Sequence, residues 1–358
     1  MNDNRVQNRV IYLDLLKVIA ILGVLIIHST STAFLTYEPL SLQYFFTVIP
    51  SCLSRISVPV FVMCSGVVFL NTEKSVSAKN IWKKYIPRII LVLVLFSVFY
   101  EIVTVLEFYS YTGVFDLSII KKGIYNLATF NTYFHLYYLY IIVLLYALVP
   151  ILRAFATASD RKTDFYLLCF LFVTSNLLPT LRMYYPFNKY FGGMTLHYSL
   201  TFAYGMLSYY FLGYYLNKYE LQGMSKKLIK LAGFIGFLMV FGGTVVDTIK
   251  TGLLNENYIN TTNVYIYFMS ASIFIIAKDF SSHLKSARLR KCILQISKST
   301  FTIYLVHQFY NIVLARLGLT ITTFSPFVSF PLIVVLDFIL SYLTYLVLKR
   351  TPVIKKLI

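Results

Sequence analysis

Lys17 and His28 are the residues of this chain best placed by type and spacing to do chemistry. They share the apolar run Val10-Ile-Tyr-Leu-Asp-Leu-Leu-Lys-Val-Ile-Ala-Ile-Leu-Gly-Val-Leu-Ile-Ile-His28 and stand eleven residues apart in it. On a helix that spacing is about three full turns plus 20°, with a rise of roughly 16 Å. The ammonium and the imidazole therefore occupy one stripe, and Asp14 joins it. Titratable groups cost several kcal/mol to hold in hydrocarbon, so their presence there points to function. Neutral imidazole is also the commonest general base near neutral pH. The competing structural reading is a His that hydrogen-bonds a neighbouring helix.

Other candidates lie further along. Arg55 sits in Ser54-Arg-Ile-Ser-Val-Pro-Val-Phe-Val-Met-Cys-Ser65-Gly66, deep in a second apolar run. At that depth it needs a carboxylate or an anionic substrate, or it must snorkel. Glu101, Asp14, Asp247 and Asp337 are the carboxylates within its expected reach. Ser65-Gly66 fits a close backbone approach or a polar cavity wall. His28, His135, His197 and His307 map to spans or their outer rims. His197 reads best as a satisfied structural residue, and His283 as a solvated residue of a basic loop. No two of these residues have the spacing of a metal site. The four Cys (Cys52, Cys64, Cys169, Cys292) lack CxxC spacing and read as free packing thiols.

The elements that must carry these groups are membrane helices. Hydrophobic residues make up 58% of the 358 positions and charged ones 13%, against about a quarter charged in a soluble domain. Apolar windows of about 20 residues fall near 11–33, 44–70, 86–106, 135–155, 164–181, 196–217, 229–249, 262–278, 299–317 and 327–348. The expected fold is all-α, a polytopic bundle of about ten transmembrane helices forming one domain over residues 1–358. Pro50 and Pro59 should kink the second span. The amphipathic stretch 114–130 should lie on the surface or re-enter. The first run is too long for a signal peptide and lacks a small-residue cleavage site. The longest polar loop expected is about 279–298, so the chemistry must occur inside the bundle.

Charge orients this bundle. With both termini cytoplasmic, twenty-four Lys and Arg fall on the inner side and six on the outer, leaving Lys17 and Arg55 within spans. That bias obeys the positive-inside rule. The net charge of +18 thus reflects orientation and anionic membrane lipid, and it carries no argument for nucleic acid. It also leaves an inner face attractive to a phosphorylated donor.

In sequence, Leu13-Asp14-Leu-Leu-Lys17 followed after ten residues by His28 resembles the opening signature of membrane-bound acyltransferase family 3, usually Leu-Asp-x-Leu-Arg, ten residues, His. The Arg55–Gly66 stretch is similar to the family's second-helix motif. His135-Leu-Tyr-Tyr-Leu139 with Leu148-Val-Pro150 resembles its His-Leu-Trp-Tyr-Leu segment. Phe211-Leu-Gly-Tyr-Tyr215 and Ser299-Thr-Phe-Thr-Ile-Tyr-Leu-Val-His307 match two later landmarks, and all occur in order. Lys17 departs from the family's Arg, exchanging a planar fork for a point charge that still suits phosphate. Tyr137 stands where Trp is usual.

The resemblance implies O-acylation, most often acetylation, of a bacterial surface polysaccharide or its lipid-linked precursor at the cytoplasmic membrane. The donor would be acetyl-CoA or another acyl-CoA, a substrate and not a bound cofactor. Its phosphates would meet Lys17, Lys83, Lys84 and Arg88. His28 would act as general base or transient acyl acceptor. Arg55 would share the catalytic work with His28, with His135 as a second candidate to orient the base or stabilise the oxyanion. Asp14, Glu101 and His307 complete the supporting set, Glu101 as the carboxylate that could fix the His tautomer. A homodimer is compatible with this architecture. The alternative in another class is a transporter or flippase for a small acid, an amino acid or a lipid-linked glycan, which spans with buried charges fit equally well and which composition alone favours. A structural subunit of a polysaccharide synthase is the third reading.

Overall fold

A computed structural model describes residues 10–71, 76–190, 202–253, 256–351 and 357. Among them there is no strand, and the chain is an all-α polytopic bundle. The first span is α1 (Ile11–Ser29). The second is α2 (Leu42–Leu53), a tight 3₁₀ turn at Ser54–Ile56, and α3 (Ser57–Leu70). Next come α4 (Ile86–Thr112), α5 (Leu117–Ala128), α6 (Tyr137–Ala158) and α7 (Arg161–Phe172), which continues through a widened turn at Val173–Leu177 and a last turn at Leu178–Leu181. The rest is α8 (Phe202–Lys218), α9 (Gly223–Thr251), α10 (Val264–His283), α11 (Ala287–Arg316) and α12 (Pro326–Leu348).

Eight described helices are long and apolar enough to cross a membrane. Helix α8 and helix α11 stand at the two remaining expected positions, but fall outside that set. The described part of α8 has only 17 residues, and the C-terminal part of α11 is made too polar by Ser299, Thr300, Thr302, His307, Gln308 and Asn311. The amphipathic stretch forms α5, started by the Asp116 carboxylate, which accepts from the Ser118 N–H at 2.7 Å.

Two expectations need correction. The polar loop foreseen at 279–298 is only three residues long, because α10 runs to His283 and α11 begins at Ala287. Ser286 caps α11 through its hydroxyl, which accepts from the Leu289 N–H at 3.3 Å. Residues 287–298 thus continue a helix into the bundle. The cysteines are free, but only Cys52 and Cys64 are buried packing thiols; Cys169 and Cys292 are exposed.

Small residues let the spans approach closely. A Cβ on Gly66 of α3 would stand 1.9 Å from the Tyr210 carbonyl oxygen of α8, and one on Gly213 of α8 would stand 2.2 Å from the Met63 carbonyl oxygen. The two glycines seat α3 and α8 backbone to backbone, as membrane helices with small interfacial residues do. Gly23 of α1 does the same against the Ser57 hydroxyl, 2.2 Å from a Cβ placed there. Helix α1 thereby lies in the centre of the bundle, against α3, α10, α11 and α12.

Candidate active site

The central helix presents both ends of its polar stripe to cavities. Lys17 lines a cavity of about 620 Å³ together with Ser65, Arg88, Tyr138, Tyr146 and Lys298. Further along the same helix, His28 lines a second cavity of about 330 Å³, with Arg55, Tyr137, Glu256 and Asn260 among its walls. Tyr304 of α11 belongs to both linings. One helix thus carries a cation to one chamber and an imidazole to the other, on the face that its eleven-residue spacing dictates.

Three histidines from three elements meet beside the second cavity. The His28 ring lies 5.0 Å from that of His307 on α11. The His307 ring is 5.2 Å from that of His135, in the 3₁₀ turn Phe134–Leu136 that opens α6. His307 Nδ1 stands 2.8 Å from the Tyr304 carbonyl oxygen. A carbonyl only accepts, so Nδ1 carries the proton and Nε2 keeps its lone pair. That Nε2 is buried and meets no hydrogen-bond partner among the described residues, and the same holds for both ring nitrogens of His135. Unpaired polar atoms at such depth are costly, and the His307 Nε2 beside the His28 ring is free to meet a polar guest. His135 is wedged edge-on against Tyr100, with ring centres 4.7 Å apart at 80°. Tyr304 also donates its hydroxyl proton to the His135 carbonyl, which ties α11 to the turn before α6.

Arg55 reaches the second cavity because its backbone turn is tightened. Pro59 has no N–H to give the Arg55 carbonyl, and its ring crowds that carbonyl, so the helix gives way over Ser54–Ile56. The guanidinium lies 5.9 Å from the Phe34 ring centre, and its Nε is buried without a hydrogen-bond partner among the described residues. The carboxylate whose field reaches it is that of Glu256, a cavity residue from the loop between α9 and α10 that sequence reasoning missed.

The carboxylates expected as partners of Arg55 have other occupations. Asp14 accepts from the Ser297 hydroxyl at 2.6 Å, joining α1 to α11. Glu101 accepts from Asn126 Nδ2 of α5 at 3.1 Å and faces a separate cavity of about 300 Å³ with Lys122 and Tyr133. Among the described residues no hydrogen bond joins it to a histidine. Asp337 accepts from Asn311 Nδ2 at 3.2 Å and from the Ser341 hydroxyl at 3.0 Å. Asp247 sits beside Tyr184 and Tyr258. His197 lies outside the described residues.

Of the expected donor-side cations, Lys17 and Arg88 face the first cavity, and Arg88 Nε also donates to the Leu357 carbonyl at 3.0 Å. Lys83 and Lys84 are exposed on the turn before α4 and do not line it. Lys298 takes their place, a residue hidden from the sequence by its assignment to a loop. One signal could have found this wall: Ser297, Thr300, Phe301 and Tyr304 recur at the i, i+3, i+4, i+7 spacing of a single helix face.

Comparison with protein families matches residues 10–346 to the one described as "Acyltransferase domain", that of acyltransferase family 3. No curated protein and no solved structure matches the chain.

Proposed function

Because the chain belongs to acyltransferase family 3 and is a multi-pass membrane acyltransferase, we propose that it moves an acyl group, acetyl by preference, from cytoplasmic acyl-CoA to a glycan hydroxyl. The acceptor is a bacterial surface polysaccharide or its lipid-linked precursor, and the site of action is the plasma membrane. The observation that carries this reading is the pair of cavities along one helix, one bearing cations and the other histidines, with Tyr304 common to both.

The division of labour follows from what each chamber contains. Lys17, Arg88 and Lys298 suit the phosphates of CoA, whose pantetheine arm is long and thin enough to carry a thioester inward from them. His28 opens on the second cavity and takes the proton of the acceptor hydroxyl, or carries the acyl group itself. His307, its Nδ1 proton held by the Tyr304 carbonyl, backs His28. Arg55 supplies positive charge for the tetrahedral oxyanion. Glu256, Asn260 and Thr261 offer hydrogen-bonding groups of the kind a polyhydroxylated acceptor needs. The ester C–O bond forms as the thioester C–S bond breaks, and the hydroxyl proton ends on the CoA thiol. Membrane lipid surrounds the bundle, and nothing in the reading requires nucleic acid or a resident cofactor.

The test is to incubate purified protein with labelled acetyl-CoA and follow thiol release with and without candidate glycans. Label arriving on a glycan supports the reading. A protein that neither binds CoA nor consumes the thioester would be a transporter or a structural subunit despite its family.

A further inference from the structure

From the position of Tyr304 we infer that its ring is the partition between donor and acceptor chambers and sets the length of acyl group that can be transferred. The inference rests on the donor reading above and adds a residue with a defined role to it. Tyr304 is 5% exposed, yet it lines both the 620 Å³ and the 330 Å³ cavities. Three aromatic rings pack against it. Tyr138 meets it with ring centres 5.4 Å apart, His135 at 5.8 Å and His307 at 6.2 Å. The hydroxyl is anchored on the His135 carbonyl, so the ring cannot swing aside without breaking a buried hydrogen bond.

A thioester approaching from Lys17 has its sulfur in the first cavity and must bring its carbonyl carbon to the hydroxyl held in the second. That carbon lies beside the Tyr304 ring when the C–S bond breaks and the C–O bond forms. Methylenes beyond the carbonyl that lie at the partition, and not in either chamber, must displace the packed rings of Tyr304, Tyr138 and His135. A close-packed wall yields poorly to added methylenes, so a two-carbon acyl group passes and a four-carbon group is rejected. Tyr304 acts as a specificity residue and does not itself take part in proton transfer.

Binding of non-reacting thioether analogues tests this without an acceptor. Affinities of CoA, S-ethyl-CoA and S-butyl-CoA are measured by calorimetry on the full chain in detergent, for wild type, Tyr304→Phe, Tyr304→Leu and Tyr304→Ala. Wild type should bind S-ethyl-CoA about 10-fold or more tighter than S-butyl-CoA, within the range one or two methylenes command in a shaped pocket. Tyr304→Ala and Tyr304→Leu should bring the two affinities level or reverse their order, each read as a ratio against that variant's own affinity for CoA. Tyr304→Phe keeps the ring and should keep most of the discrimination. An unchanged ethyl-to-butyl ratio in Tyr304→Leu, with CoA still bound, overturns the partition while leaving the donor reading intact. Wild type that binds no CoA at all overturns the donor reading, and this inference falls with it.

Discussion

In the proposed mechanism two side chains on α1 divide the work of the site, and substitution should separate their roles. His28→Ala should lower acyl transfer by about 10²–10⁴-fold, the usual cost of losing a positioned base, while the protein inserts and purifies normally. Activity within a few-fold of wild type would return His28 to a structural role beside Phe134 and His307. Lys17 faces the other chamber, so its loss should register on the donor. Lys17→Ala is expected to raise the KM for acyl-CoA with a smaller effect on kcat, and added salt should mimic part of that loss in wild type. Lys17→Arg, which restores the family's usual residue, should retain most activity. If Lys17→Ala instead left CoA affinity intact and lowered the melting temperature, Lys17 would be a structural neighbour of Asp14.

At the scale of elements, the site depends on helices held closer than ordinary side chains allow. At the α3–α8 crossing, Gly66 lets the Tyr210 backbone approach while its neighbour Ser65 lines the Lys17 cavity. Gly66→Ala should cost about 1–3 kcal/mol through overpacking, read as a lower melting temperature in detergent. Gly242→Ala, at a position with nothing within 4 Å of the new methyl, should melt like wild type. Gly66→Ala and Gly213→Ala share one crossing, so their effects should not add. Equal melting of Gly66→Ala and wild type would show that the crossing is loose.

For the whole molecule, the charge bias predicts that the Lys17 chamber opens to the cytoplasm and the His28 chamber to the outside. In a cysteine-free background, single Cys residues at Ile120, Asn188, Leu253 and Thr322 should react with an impermeant maleimide added outside intact cells. Those at Glu220 and Lys285 should react only after lysis. Inward labelling at two of the four outer positions would reverse or break the proposed orientation, and with it the assignment of donor and acceptor sides.

Sequence alone determined the class, the rough place of most spans and the Lys17–His28 stripe, because hydropathy and a 3.6-residue period are properties of one helix at a time; the charged start of α11 escaped it. It also marked Arg55 and Ser65-Gly66, since an intramembrane cation and a glycine flanked by apolar residues are conspicuous locally. What lies across a helix interface was not legible. That His135 and His307 converge on His28, that Glu256 and not Glu101 faces Arg55, and that Lys298 lies on a helix beside Lys17 are decided by packing between segments as many as 281 residues apart in the chain. Glu101 and Glu256 look alike as isolated acids. Only the tertiary structure, by seating α5 over one and the α9–α10 loop over the histidines, tells which of them lines the His28 cavity. Tyr304 is the clearest case: one of 31 tyrosines in the sequence, it is distinguished solely by two cavities that exist only once α1, α6 and α11 are packed.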